Sequence, residues 1–221
     1  MRRSWLTGPI LARAELPRDQ RAEQIMAMSA VSPRRWTRPE VDRLVDERPG
    51  YTPRYELVDG ELLVTPAPTW RHQRIIVRLL QLLLPYVTEH KLGEILLGPA
   101  ELPLVTGELY EPDLFVVPLV AGRRPTIPPG PARPLLICET LSPGSSRHDR
   151  ITKRRAFQRN DVPDYWIVDG DAEVFEVWHP ADERPEIVDG RAIWLPAGAP
   201  VSFELDVREF FASVADQGEL T

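Results

Sequence analysis

Two short runs carry a carboxylate at one end where a buried strand would ordinarily carry none: Glu111-Pro112-Asp113-Leu114-Phe115-Val116-Val117 and Leu135-Leu136-Ile137-Cys138-Glu139. A strand apolar on both faces lies inside a covered sheet, where an unpaired carboxylate is strongly unfavourable. If the two strands are neighbours, Asp113 and Glu139 converge. Two adjacent carboxylates repel unless they share a proton or a divalent cation lies between them, so a metal site is one reading. The other is that each acid merely ends its strand and looks into solvent.

A lysine adds to the pair. The segment Ser142-Pro143-Gly144-Ser145-Ser146 reads as a turn leading into a helix on which Asp149, Lys153, Ala156, Phe157 and Asn160 share one stripe, because residues three and four apart lie on the same face. Of 27 basic residues only Lys91 and Lys153 are lysines. An ammonium is a compact charge suited to orienting a water or stabilising charge on a phosphate, whereas guanidinium is planar and always protonated. The plainer alternative is a surface pair between Asp149 and Lys153, worth a few tenths of a kcal/mol.

The elements that must position these groups can be read in order. Thr37-Arg38-Pro39-Glu40 is a capping box opening a helix with Val41, Leu44 and Val45 on one stripe. Strands Tyr55 to Val58 and Glu61 to Val64 flank the hairpin signal Asp59-Gly60. A helix from about Trp70 to His90 follows, with Ile75, Ile76, Leu79, Leu80, Leu83 and Val87 on its buried side and Pro85 as a kink or an end. Glu94 to Leu97, Glu101 to Val105, Asp113 to Val117 and Leu135 to Glu139 are strand candidates, and Pro118 to Pro134 is a long proline-rich loop, either a flap or a surface excursion. Beyond the Lys153 helix, Tyr165 to Val168 and Val174 to Trp178 pair around Asp169-Gly170-Asp171. Ile193 to Leu195 and Val201 to Leu205 add edge strands, and Val207 to Val214 is a short helix. This order predicts an α/β fold: a mixed central sheet flanked by helices, with an N-terminal hairpin and C-terminal edge strands.

The 221 residues suit one domain with a full core, and 43% hydrophobic content is that of a globular protein. Residues 31–221 are expected to form that domain and residues 1–30 a flexible extension, since the latter lack a sustained apolar period. The single cysteine, Cys138, excludes an internal disulfide and a cysteine-based zinc site, and it reads as a core residue. No secretory signal and no stretch of ~20 apolar residues is present, which predicts a cytoplasmic protein with no membrane partner. A net charge of −6 argues against coating nucleic acid by charge alone. Locally the sign reverses, around Arg71, His72 and Arg74 and again from Arg147 through Arg150 to Arg159. These could be phosphate contacts; they could equally be solvated helix faces.

Taken together, Tyr55 to Leu62, the His72-Gln73 helix start, Glu111-Pro112-Asp113, Glu139-Thr140-Leu141-Ser142-Pro143, Asp149 to Lys153 and Asp164 to Asp169 resemble the Uma2 family, within the PD-(D/E)XK nuclease superfamily. The likeness spans about residues 35 to 215. It implies a restriction-endonuclease-like fold in which Asp113 and Glu139 match the two metal-binding acids. The superfamily's usual lysine stands two residues after the second acid, where this chain has Leu141; by resemblance Lys153, from the following helix, takes its place. Phe157 stands where a tyrosine is common and Asp161 where a glycine is common. Glu56 matches a hairpin glutamate that could be a further metal ligand or a simple cross-strand residue. His72 matches a helix-start histidine that could contact phosphate or merely cap.

The leading expectation is therefore a Mg²⁺- or Mn²⁺-dependent endonuclease hydrolysing DNA, with Asp113, Glu139 and Lys153 as its catalytic set and Arg71, His72, Arg147 and Arg150 on the nucleic acid. A hard oxygen-ligand site favours magnesium over zinc, and cleavage of both strands would be simplest for a homodimer. The alternative is a non-catalytic nucleic-acid-binding or interaction module that keeps the fold. No HExxH, Walker A, GxGxxG or GxSxG motif supports another hydrolase class.

Overall fold

The computed structural model describes residues 35–47, 53–104, 107–125, 133–142 and 144–215, all within one compact unit, Val31–Thr221. The expected extension at residues 1–30 lies outside the described residues, as does the centre of the proline-rich loop. Among the described residues no helix is long and apolar enough to cross a membrane.

Six strands form the central sheet in the order β3-β4-β5-β6-β7-β8: β3 (Gly93–Leu97), β4 (Leu114–Pro118), β5 (Leu136–Thr140), β6 (Tyr165–Asp169), β7 (Val174–Trp178) and β8 (Glu186–Val188). Every pairing is antiparallel except β5 with β6. A parallel pair needs a crossover connection. Here the crossover carries a π-helical turn (His148–Lys153) that runs directly into a short α-helix, Arg154–Arg159. Lys153 thus rides on the one segment that has to pass back over the sheet.

Alternation along the strands divides the core. Leu114, Val116, Leu136, Cys138, Trp166 and Val168 point to one face, against the long helix Trp70–Glu89 and the C-terminal helix Val207–Val214. Phe115, Val117, Ile137, Tyr165 and Ile167 point to the other, against Ala156 and Phe157 of the crossover and Val58 of the N-terminal hairpin. That hairpin pairs β1 (Arg54–Val58) with β2 (Glu61–Thr65) across Asp59-Gly60. The capping box opens the first helix, Arg38–Glu47, with the Thr37 N–H donating to Glu40 at 2.9 Å. We number the helices α1 (Arg38–Glu47), α2 (Trp70–Glu89), α3 (Arg154–Arg159) and α4 (Val207–Val214).

The structure departs from the sequence reading at four places. Glu101 to Val105 forms no strand among its described residues; only Leu102 bridges to Tyr110. The C-terminal strands β9 (Arg191–Trp194) and β10 (Phe203–Asp206) pair with each other in a separate two-stranded sheet, and the sheet edge is β8, too short to give a period-2 signal. Val45 is exposed, so α1 buries only Val41. Pro85 lies inside α2, which continues to Glu89.

Candidate active site

Strand periodicity explains how the acids meet. Glu139 shares a face with Ile137, and Asp113, immediately before β4, shares the face of Phe115; both face the crossover side. Antiparallel register places Leu114 opposite Cys138, which puts Asp113 opposite Glu139 one step further on. The Asp113 N–H donates to Glu139 Oε2 at 3.3 Å. Glu56, on the same side of β1 as Val58, enters from the hairpin. Its Oε1 accepts from the Glu111 N–H at 3.0 Å.

Lys153 joins three carboxylates. Its Nζ lies 2.8 Å from Glu139 Oε1, 2.9 Å from Glu56 Oε2 and 3.6 Å from Asp149 Oδ1. All four side chains are buried, so the surface-pair alternative for Asp149 and Lys153 does not describe this geometry. Both stand on the π-helical turn, in which the Arg154 N–H reaches back five residues to the Asp149 carbonyl, which also accepts from the Tyr165 hydroxyl at 3.2 Å. Insertions of this kind inside α-helices recur at functional sites.

Asp113 is held by a different set of donors. Arg54 Nη2 donates to Oδ1 at 3.0 Å, while the Thr140 N–H donates to Oδ2 at 2.9 Å. His72 Nε2 is also 2.9 Å from Oδ2. An ionised carboxylate only accepts, so this nitrogen carries the proton; Nδ1 is buried and has no hydrogen-bond partner among the described residues. His72 is thus directed at Asp113 and away from solvent. Arg54 was not singled out from the sequence. The available signal was spacing, since Arg54 stands two residues before Glu56 on one strand and so shares its face.

The electrostatics separate the acids. Burial opposes ionisation of Asp113, but His72, Arg54 and the Thr140 N–H outweigh it and hold this carboxyl well below the usual range. Burial pushes Glu139 well above its ordinary value, with Lys153 pulling it down and Asp113 and Asp149 pushing it further up. Burial likewise raises Asp149, to about 6, against the pull of Lys153. Burial acts to lower the Lys153 ammonium, yet Glu139, Glu56 and Asp149 together hold it well above the ordinary lysine value, so it is protonated.

The arginines flagged by the sequence occupy different settings. Arg150 donates to Glu176 and Asp169, each at 2.7 Å, and is committed to that network. Arg71 donates to the Gly170 carbonyl and to Asp171, the latter at 3.3 Å. Arg147 is exposed.

Among the described residues no three His, Cys, Asp or Glu side chains form a ready metal cage; Lys153 stands among Glu139, Glu56 and Asp149, and Arg54 stands against Asp113. The donor chemistry nevertheless fits a hard divalent cation. A carboxylate offers about four lone-pair positions. Asp113 uses three and Glu139 two, so both retain oxygen lone pairs of the kind such ions take.

The structure is thus a mixed six-stranded sheet flanked by helices, with two in-register acids at its centre and a lysine brought over them by the crossover. A crystal structure from Anabaena variabilis, described as "a putative nuclease belonging to DUF820", matches with a TM-score of 0.61 at 21% identity, covering 79% of this chain and 98% of that one. The chain belongs to the Uma2 family, described as "Putative restriction endonuclease", which matches residues 40–208. No curated protein matches the sequence.

Proposed function

We propose that this protein is a metal-dependent endonuclease that hydrolyses DNA phosphodiester bonds. The observation that supports it most is the meeting of Asp113 and Glu139 in antiparallel register with Lys153 Nζ 2.8 Å from Glu139. Asp113 and Glu139, with Glu56 as a third oxygen donor, would hold Mg²⁺ or Mn²⁺. Such an ion, when bound, polarises a phosphoryl oxygen and lowers the pKa of a water.

The protein's own groups have distinct parts. His72, Arg54 and the Thr140 N–H fix Asp113 as a carboxylate in one orientation. Lys153 holds Glu139 and carries the positive charge that would neutralise the phosphate as charge develops on it. The burial of these side chains strengthens each of these interactions. Cytoplasmic location and a homodimer that cuts both strands belong to the same proposal.

Incubation of plasmid and oligonucleotide DNA with Mg²⁺ or Mn²⁺ tests the reading: wild type should cut, Asp113→Asn should not. A second reading, a binding module that keeps the fold without cutting, draws on the pairing of Lys153 with three acids and the holding of Asp113 by three donors. Calorimetry separates the two, since only the nuclease needs to take up the divalent ion.

A further inference from the structure

Helix α2 carries a second feature that the buried site does not use. Trp70, its first residue, is 81% exposed, more than any other large hydrophobic side chain among the described residues, and Val77 two turns on is 47% exposed. Between α2 and the end of α4 lies a groove of about 520 Å³, lined from α2 by Trp70, Gln73, Arg74, Val77, Arg78 and Gln81. No carboxylate lines it. Of the helix's arginines Arg71 is engaged by Gly170 and Asp171, while Arg74 and Arg78 line the groove, in a chain whose net charge is −6. Positive charge concentrated against that background selects an anionic occupant. The indole selects one that is also flat. A second copy of the chain fits poorly, because the same arginines would face each other across the contact.

We propose that the groove holds an unpaired stretch of a nucleic-acid strand, with a base stacked on Trp70 and adjoining phosphates on Arg74 and Arg78. The inference rests on the nuclease reading and deepens it by naming the form of the substrate. A base inside a duplex has both faces covered, so only an unpaired one can offer a face to the indole. Arg74 and Arg78 stand one helical turn apart, a rise of about 6 Å, on the scale of successive phosphates along an extended strand. Gln73 and Gln81 add neutral donors and acceptors beside them. Trp70 and His72, which holds Asp113, are two residues apart and face nearly opposite sides of α2, so a strand seated on the indole reaches the site by passing round the start of the helix.

The test is anisotropy of a fluorescein-labelled oligodeoxythymidylate added to the full chain in EDTA, with a hairpin duplex of equal length for comparison. Wild type should bind the single strand more tightly than the duplex. Trp70→Ala should weaken the single strand roughly tenfold, Trp70→Phe should recover most of the loss, and Arg78→Ala should reduce the log-log salt slope by roughly 0.7. Equal affinity of wild type and Trp70→Ala for the oligonucleotide, or tighter binding of the duplex, overturns the proposal. A Trp70→Ala change that turns a sedimenting dimer into a monomer while leaving oligonucleotide affinity intact gives the groove to a second copy, and overturns it equally. Because EDTA removes divalent ions, binding is read apart from cleavage. Binding without cutting defeats only the nuclease reading, and cutting with no Trp70 effect on affinity defeats only this one.

Discussion

Lys153 and Glu139 are 14 residues apart in sequence and 2.8 Å apart in space, joined by the crossover that a parallel β5 and β6 require. The same ammonium lies 2.9 Å from Glu56 on the N-terminal hairpin. One cation therefore ties the hairpin, the central sheet and the crossover together, and the site is also a structural joint.

Its removal should register in stability before it registers in catalysis. Lys153→Ala leaves Glu139, Glu56 and Asp149 buried without their shared partner, a situation that costs about 3 to 5 kcal/mol. Urea unfolding should show that loss, and the double variant Lys153→Met with Glu139→Gln should recover part of it. Lys153→Arg should recover little, because a planar fork cannot replace a point charge reached from three sides. A change below about 0.5 kcal/mol for Lys153→Ala, the size expected of an exposed pair, would contradict the buried geometry.

Asp149 gives a pH signature. Between the unfolded carboxyl value, about 4, and the folded value, about 6, the folded protein keeps a proton that the unfolded chain has released. Stability from this group is present below pH about 4, falls as pH rises through that window, and is flat above it. Asp149→Asn cannot titrate. Relative to that variant, wild type should lose on the order of 2 kcal/mol between pH 4 and 7, measured by denaturant unfolding at both pH values. Parallel curves would remove the elevated Asp149 from the account.

Asp113 behaves in the opposite sense. Its folded carboxyl lies below the unfolded value, so its contribution is present above pH about 4 and fades as pH falls toward the folded value. His72→Phe removes one of the donors responsible. In carbon-detected NMR titration the Asp113 carboxyl should then move upward. An unchanged midpoint would mean that Arg54 and the Thr140 N–H suffice without the imidazole.

What could be read in advance depended on periodicity. The acid-ended runs at Asp113 and Glu139 sit in strands buried on both faces, and such runs stand out against the alternation of half-exposed elements. Lys153 stood out by composition, as one of two lysines. Arg54 did not stand out by composition, being one arginine among many; its signal was its place two residues before Glu56 on the same strand face. The π-helical register of His148–Lys153 was equally hidden. Residues 148 to 159 have a pattern compatible with ordinary helix, and the extra residue per turn becomes visible only in the backbone bond from Arg154 to Asp149. The three-residue strand β8 lies below the length at which alternation can be recognised.

Divalent-ion linkage is the most direct check on the proposed chemistry. An ion that binds the folded protein and not the unfolded chain stabilises it by about 1.4 kcal/mol at tenfold excess over the dissociation constant. Mg²⁺ or Mn²⁺ should therefore raise the melting temperature of wild type, and EDTA should reverse the rise. Glu139→Gln should abolish it, because the amide keeps the shape but offers one weaker oxygen donor in place of a carboxylate. Asp113→Asn should do the same. Asp206→Asn serves as the control: Asp206 is the exposed N-cap of α4, accepting from the Glu209 N–H at 2.9 Å, and its loss should lower the melting temperature by a constant amount with and without the ion. A Mg²⁺-induced rise that survives both Glu139→Gln and Asp113→Asn would place the ion elsewhere on the protein and leave these two acids as partners of Lys153, Arg54 and His72 alone.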